Sequence, residues 1–215
     1  MEPLNHISNI IALSMGAAWA SGINLYAAVL VLGILGLTGS IVLPPDLTIL
    51  THPLVMGAAG VMYLVEFFAD KVPGVDTAWD GIHTFIRIPA GALLAAGAVG
   101  QFNPVLALVA AILGGGLAAA SHAAKAGSRV MINTSPEPFT NWIASITEDI
   151  VVVLGLWTAL KHPWIFMVLL VLFILLLIWL LPKLWKGVVK IFGAIGRLFK
   201  SKEEISTAPP GPGPR

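Results

Sequence analysis

Of 215 residues, 57% are hydrophobic and only 11% are charged, and the mean hydropathy is +0.90. Soluble domains carry roughly a quarter charged residues, so this composition is that of an integral membrane protein, and the length fits one helical domain. A net charge of +1 offers nothing to nucleic acid, and the absence of cysteine excludes disulfides, thiolate metal sites and cysteine catalysis.

The first apolar run covers residues 7–37. It lacks a basic leading region and is about twice the length of a signal's apolar core, so it reads as a retained segment. At 1.5 Å per residue it exceeds a hydrocarbon core of about 30 Å, so it must tilt, project or break. Ser21-Gly22-Ile23-Asn24, followed by Tyr26, is where a break would fall. Broken spans are tolerated only against protein or a water-filled cavity. The alternative is an unbroken helix in which Gly22 permits close packing and Asn24 bonds to a neighbour.

Residues 38–52 form a connection containing Pro44-Pro45, and His52-Pro53 opens a second span ending near Asp70. Glu66 and Asp70 share a face there at i, i+4. Pro73-Gly74 marks a turn, and Thr77-Ala-Trp-Asp80 has capping-box spacing for the start of the third span. Asp80, His83 and Arg87 line one face of that helix at i, i+3 and i+7, and Pro89 is a candidate kink. Asn103-Pro104 opens the fourth span, which ends in a second stripe of the same spacing: His122, Lys125 and Arg129. Ser135-Pro-Glu-Pro138 suits a helix start, with Ser135 as cap and both prolines in the first turn. Asn141, Ser145 and Glu148 share a face of the fifth helix, which ends at Lys161-His162-Pro163. Residues 164–181 are apolar all round, with Pro182 as the expected stop.

The expected fold class is an all-α integral membrane protein of about six transmembrane helices with a C-terminal amphipathic helix. Residues 1–182 are read as the bundle. Residues 183–200 alternate Leu184, Val188 and Ile191 with Lys183, Lys186 and Lys190, and are read as a basic helix lying on anionic lipid head groups. Residues 201–215 are read as a disordered tail. His52-Pro53 and Asn103-Pro104 stand 51 positions apart and open two similar hairpins, which reads as a duplication. Six spans put both termini on one side. The basic tail, with Lys71, Lys125 and Arg129, makes that side the cytoplasmic face of a bacterial inner membrane.

Three segments stand out: S-G-x-N-x-Y at residues 21–26, E-F-F-A-D-K-x-P-x-x-D-x-x-W-D at residues 66–80, and S-H-x-x-K-A-x-x-R-x-x-x-N-x-S-P-E-P at residues 121–138. Together they resemble a widespread bacterial family of uncharacterised polytopic membrane proteins, over roughly residues 5–160. The resemblance implies that these polar residues form one site, and it carries no activity.

Ionisable groups within apolar surroundings are functional candidates by default. The site residues expected to bind a solute or ion are Asn24, Tyr26, Glu66, Asp70, Asp80, His83, Arg87, His122, Lys125, Arg129, Asn133, Glu137, Asn141, Glu148 and Asp149. The competing reading is mutual neutralisation, in ion pairs that fix the bundle. Carboxylates and imidazoles suit a divalent cation, although no spacing here specifies a metal site. Arg87, Lys125 and Arg129 could instead hold a phosphate or carboxylate. No phosphate loop or nucleophile elbow is present, so a non-enzymatic role is the first expectation. That role is a small transporter or channel for an ion or small polar solute. The proton carrier would be Glu66, Asp70 or Glu148. Alternatives are a lipid-handling enzyme with His83 or His122 as general base, or an assembly partner. Self-association is compatible with each.

Overall fold

The computed structural model describes residues 2–100, 102–134 and 138–207. Their elements are α1 (Glu2–Leu37), a 3-10 helix (Pro45–Thr51), α2 (Pro53–Ala69), α3 (Val75–Val99), α4 (Pro104–Ile132), α5 (Pro138–Lys161) and α6 (Pro163–Thr207). Five helices are long and apolar enough to cross a membrane, or six if the 3-10 helix and α2, which meet at 63°, count as one bent span. Exposed tryptophans mark both ends of that apolar band. On α6, Trp164 and Trp185 stand 21 residues, or roughly 31 Å, apart, close to the thickness of a bilayer core.

Helix α1 is the centre of the bundle, packed against α3, α4 and α5 and, less extensively, α2 and α6. It is broken at Asn24, whose φ of −145° and ψ of 97° are extended rather than helical. The Asn24 Oδ1 accepts from the Ala27 amide at 2.9 Å, so the residue that ends the first arm caps the second. The first arm runs antiparallel to α3: the Ser14 hydroxyl donates to the Ala95 carbonyl and the Ser21 hydroxyl to that of Arg87. The second arm returns. Gly36 abuts Leu43 and Thr51, and Ser40, Ile41 and Leu43 line one cavity with His6, Asn9 and Leu13 from the beginning of the first arm. Both arms therefore finish at the same end of the bundle. The second arm, residues 25–37, rises roughly 20 Å, less than a bilayer core. Gly39, at φ 70°, closes it: the Ser40 amide reaches back to the Leu35 carbonyl and that of Gly39 to the Gly36 carbonyl. Of the readings open for this run, the break is the one observed, and it turns the run into a re-entrant helical hairpin.

This reversal corrects the expected topology. Phe102 precedes α4 and Gly127 lies near its far end, so residue 6, beside the first, and residue 184, beside the second, lie at opposite ends of the bundle. The start of α1 and the later part of α6 do not share a face.

Other boundaries also differ from expectation. Helix α3 starts at Val75, capped by Gly74 at φ 85°, so the Thr77–Asp80 capping pattern lies inside the helix. Pro89 sits within continuous helix. Residues 45–51 of the first connection are a 3-10 helix. Pro182 does not end α6, which runs on to Thr207, so residues 183–200 are no separate surface helix and residues 201–207 are helical. The extension continues because it has a partner: Leu184 meets Gly127, and Gly187 meets Met131, on the last turns of α4. The remainder of the expected tail, the Ser135 cap and Glu137 lie outside the described residues.

The two hairpins do share one local device. The His52 Nδ1 accepts from the Leu54 amide at 3.2 Å and the Asn103 Oδ1 from the Val105 amide at 2.7 Å, each capping a helix whose first residue is proline. In both pairs, α2 with α3 and α4 with α5, the helices pack little on each other, while α3 and α4 pack most extensively of all.

Candidate functional site

The stripes on α2, α3 and α4 turn inward and meet. Glu66, Asp80, Arg87 and Arg129 are at most 1% exposed, and Asp70, His83, His122 and Lys125 are also buried. Periodicity explains the arrangement: residues at i, i+3 and i+7 project from one helix face, and burial of a charge is tolerable only with partners.

The partners come from different helices. Arg87 donates to Glu66 Oε1 at 2.6 Å through Nη2, and to Asp80 Oδ1 at 3.1 Å through Nη1. Lys125 donates to Glu66 Oε1 at 3.1 Å and Asp70 Oδ2 at 2.9 Å, with Glu148 Oε2 at 3.4 Å. Arg129 holds both oxygens of Glu148, at 3.2 and 2.7 Å, and also donates to the carbonyls of Asp70 and Asn141. Fork-shaped pairing of this kind fixes orientation as well as charge. The network thus ties α2, α3, α4 and α5 into one unit.

His122 is neutral by its partners. Arginine has no acceptor, so the His122 Nδ1 that faces Arg87 Nη1 at 3.1 Å carries no proton. Its Nε2–H is left to donate to Thr84 Oγ1 or the Asp80 carbonyl. His83 Nδ1 lies 2.9 Å from the Trp79 carbonyl and so donates, and its Nε2 lies 3.0 Å from the Tyr26 hydroxyl. The Trp79 ring stacks on that imidazole.

The tip of α1 closes the network at the level of Arg87, which is 12 residues, or roughly 18 Å, from the far end of α3. The Asn24 Nδ2 donates to Asp149 Oδ1, whose other oxygen accepts from the Tyr63 hydroxyl, both at 2.9 Å. Gly22 lies so close to Ser121 and the Ala118 backbone that any side chain there would collide. Every non-wildcard position of S-G-x-N-x-Y therefore touches α3, α4 or α5.

A second cluster lies at the end of the bundle. Asp76 Oδ1 accepts from the Gly74 and Thr77 amides and from Asn133 Nδ2, and Asn133 Oδ1 accepts from Asn141 Nδ2 at 2.8 Å. Lys71, outside the spans, lies 3.0 Å over the Phe67 ring and donates to Ser145 Oγ. Burial draws its ammonium below the ordinary lysine pKa.

Of the expected site residues, all except Glu137 are thus brought to this end of the bundle, Asn133 and Asn141 in the outer cluster. Tyr63, Thr84 and Ser21 were not expected. Tyr63 precedes Glu66 by three positions and Thr84 lies between Asp80 and Arg87, so helical spacing alone would have found both. Burial also removes an argument for orientation: Lys71, Lys125 and Arg129 are interior partners of the bundle, 7%, 5% and 0% exposed, rather than loop charges. No group of three or more His, Asp or Glu placed to hold a metal ion occurs among the described residues.

A family model described as Domain of unknown function (DUF4126) matches residues 11–183. No curated protein and no solved structure matches the chain.

Proposed function

The chain belongs to this family of unknown function, and we propose that it is a small membrane transporter or channel for an ion or small polar solute. The observation that carries the reading is a broken re-entrant helix docked, through Asn24 on Asp149 and Tyr26 on His83, against the helices that carry the buried ionic network. A break inside the bilayer exposes backbone polar groups that ordinary helices satisfy, and transporters use such breaks to coordinate a passing ion or solute. The network and tip fill the site with their own side chains.

The lipid-handling reading loses its grip on phosphate. Lys125 and Arg129 already donate to Glu66, Asp70 and Glu148, and His122 Nδ1, the nitrogen a general base would use, is taken by Arg87.

We assign the network end to the cytoplasm of the bacterial inner membrane. Lys183, Lys186 and Lys190 are exposed at that end, beside Trp179 and Trp185, where anionic head groups would meet them. Residues near His6, Val42 and Phe102 then face outward.

The test is reconstitution into proteoliposomes with a panel of monovalent cations, inorganic anions and small neutral solutes. Wild-type flux or ligand-induced thermal stabilisation is expected, with loss in Asn24→Ala. Neither signal across the panel overturns the transport reading.

A further inference from the structure

We propose that the network binds one proton, on the Asp80 carboxylate, and that this is the coupling site of the transport reading on which the proposal rests. Four carboxylates, Glu66, Asp70, Asp80 and Glu148, are joined to three cations, Arg87, Lys125 and Arg129. His122 adds no charge, because Arg87 faces its bare nitrogen, and His83 stands outside the ion pairs, held by the Tyr26 hydroxyl and the Trp79 carbonyl. Asp149 and Lys71 lie outside these ion pairs, Asp149 accepting from Asn24 and Tyr63 and Lys71 donating to the Phe67 carbonyl and Ser145. One negative charge remains unmatched in an apolar interior, where an uncompensated ion is expensive and neutralises instead.

The partners single out Asp80. Its charged contact from α3 is Arg87 at 3.1 Å, and from α4 Lys125 at 3.8 Å, beyond hydrogen-bond reach. His122 of α4 faces its backbone carbonyl rather than its carboxyl. Asp70 of α2 and Glu148 of α5 add repulsion, and Glu66 of α2 competes for the same Arg87 at 2.6 Å. By contrast Glu66 and Asp70 each accept from two cations, and Glu148 takes both donors of one guanidinium fork. The second oxygen of Asp80, Oδ2, is buried without any donor, as are Glu66 Oε2 and Asp70 Oδ1, so it is the single hydrogen-bonded cation that sets Asp80 apart from those two. A proton on Oδ2 removes the excess charge and leaves Oδ1 accepting from Arg87. A metal cation would sit against Lys125 and Arg87, whereas a proton is held covalently and tolerates both. This differs from the sequence expectation, which placed the titrating carboxyl at Glu66, Asp70 or Glu148.

The experiment is infrared difference spectroscopy between acidic and alkaline buffer, on full-length protein in lipid nanodiscs. A protonated carboxyl stretch should be present at neutral pH, shift on carboxyl-¹³C aspartate labelling, disappear in Asp80→Asn and survive in Asp46→Asn. Aspartate labelling of wild type stands on its own if Asp80→Asn fails to fold. A band that ignores the label, persists in Asp80→Asn, or vanishes when sodium replaces a bulky organic cation overturns the proposal, as does no band at all. The readout needs no flux. A band without flux removes the transport reading and keeps the site, while flux without a band does the reverse.

Discussion

Asn24 and Asp149 are joined across 125 positions of sequence by one hydrogen bond of 2.9 Å. The same side chain caps the second arm of α1 through its Oδ1. One amide therefore both makes the reversal and docks it on α5. Asn24→Ala removes a cap, worth about 1 kcal/mol, and a membrane hydrogen bond averaging about 0.6 kcal/mol. The expected result is folded protein with a modestly lower Tm and no flux. Asn24→Asp keeps the cap but sets a second carboxylate against Asp149, so it should retain fold and lose function more completely at alkaline than at acidic pH. Full flux in Asn24→Ala would separate the tip from transport.

Gly22 is the other requirement of the tip. A side chain there meets Ser121 and the backbone of Ala118. Gly22→Ala should cost about 1–3 kcal/mol through overpacking, read as a lower midpoint of thermal unfolding. Gly57, which has open space around it, supplies the contrast: Gly57→Ala should change stability by no more than about 0.5 kcal/mol or increase it.

What the sequence makes legible here is whatever depends on neighbours along one helix. The i, i+3, i+7 stripes are local, so Glu66, Asp80, Arg87, His122 and Lys125 could be placed on inward faces before any fold was known. The X-Pro openings at His52 and Asn103 are local as well, and their caps follow from residue type. The reversal at Asn24 is of another kind. An apolar run of this length is compatible with tilt, projection or a break, and contacts with Ala95, Arg87 and Asp149, all more than 60 positions away, select the break. The same blindness let Lys125 and Arg129, expected in the site, also be counted as charges of the cytoplasmic face. As residues near a helix end they resemble loop charges, and the carboxylates that bury them lie as far as 59 positions away. Pro182 misled for a related reason. Proline stops an isolated helix, yet membrane helices tolerate it, and the packing of Leu184 and Gly187 on α4 carries α6 onward.

Breaking the Arg87 pair tests whether the network is structural as well as functional. Arg87→Gln leaves Asp80 without a hydrogen-bonded cation and Glu66 with Lys125 alone, and removing one partner of a buried pair costs about 3–5 kcal/mol. Glu66→Gln should cost less, since Arg87 keeps Asp80 and Lys125 keeps Asp70. The double variant Arg87→Gln/Glu66→Gln should recover part of the loss, a coupling measurable by unfolding in mixed micelles. Strict additivity would mean the 2.6 Å contact contributes nothing.

The re-entrant α1 makes a prediction about sides that a straight first span does not. The chain has no cysteine, so single introduced thiols report cleanly. Leu4 and Val42 are 63% and 95% exposed and lie at the end of the bundle opposite Lys186. In intact cells or sealed vesicles, a membrane-impermeant maleimide should label Leu4→Cys and Val42→Cys from one side, and Lys186→Cys from the other. A straight α1 would move Leu4 across and pair it with Lys186. The three labelling patterns distinguish the two topologies whichever way the protein is inserted, because the comparison is between positions rather than with a fixed face. If Leu4→Cys reacts together with Lys186→Cys, the reversal at Asn24 is wrong. The site would then lose the broken helix on which its coordination of a solute depends.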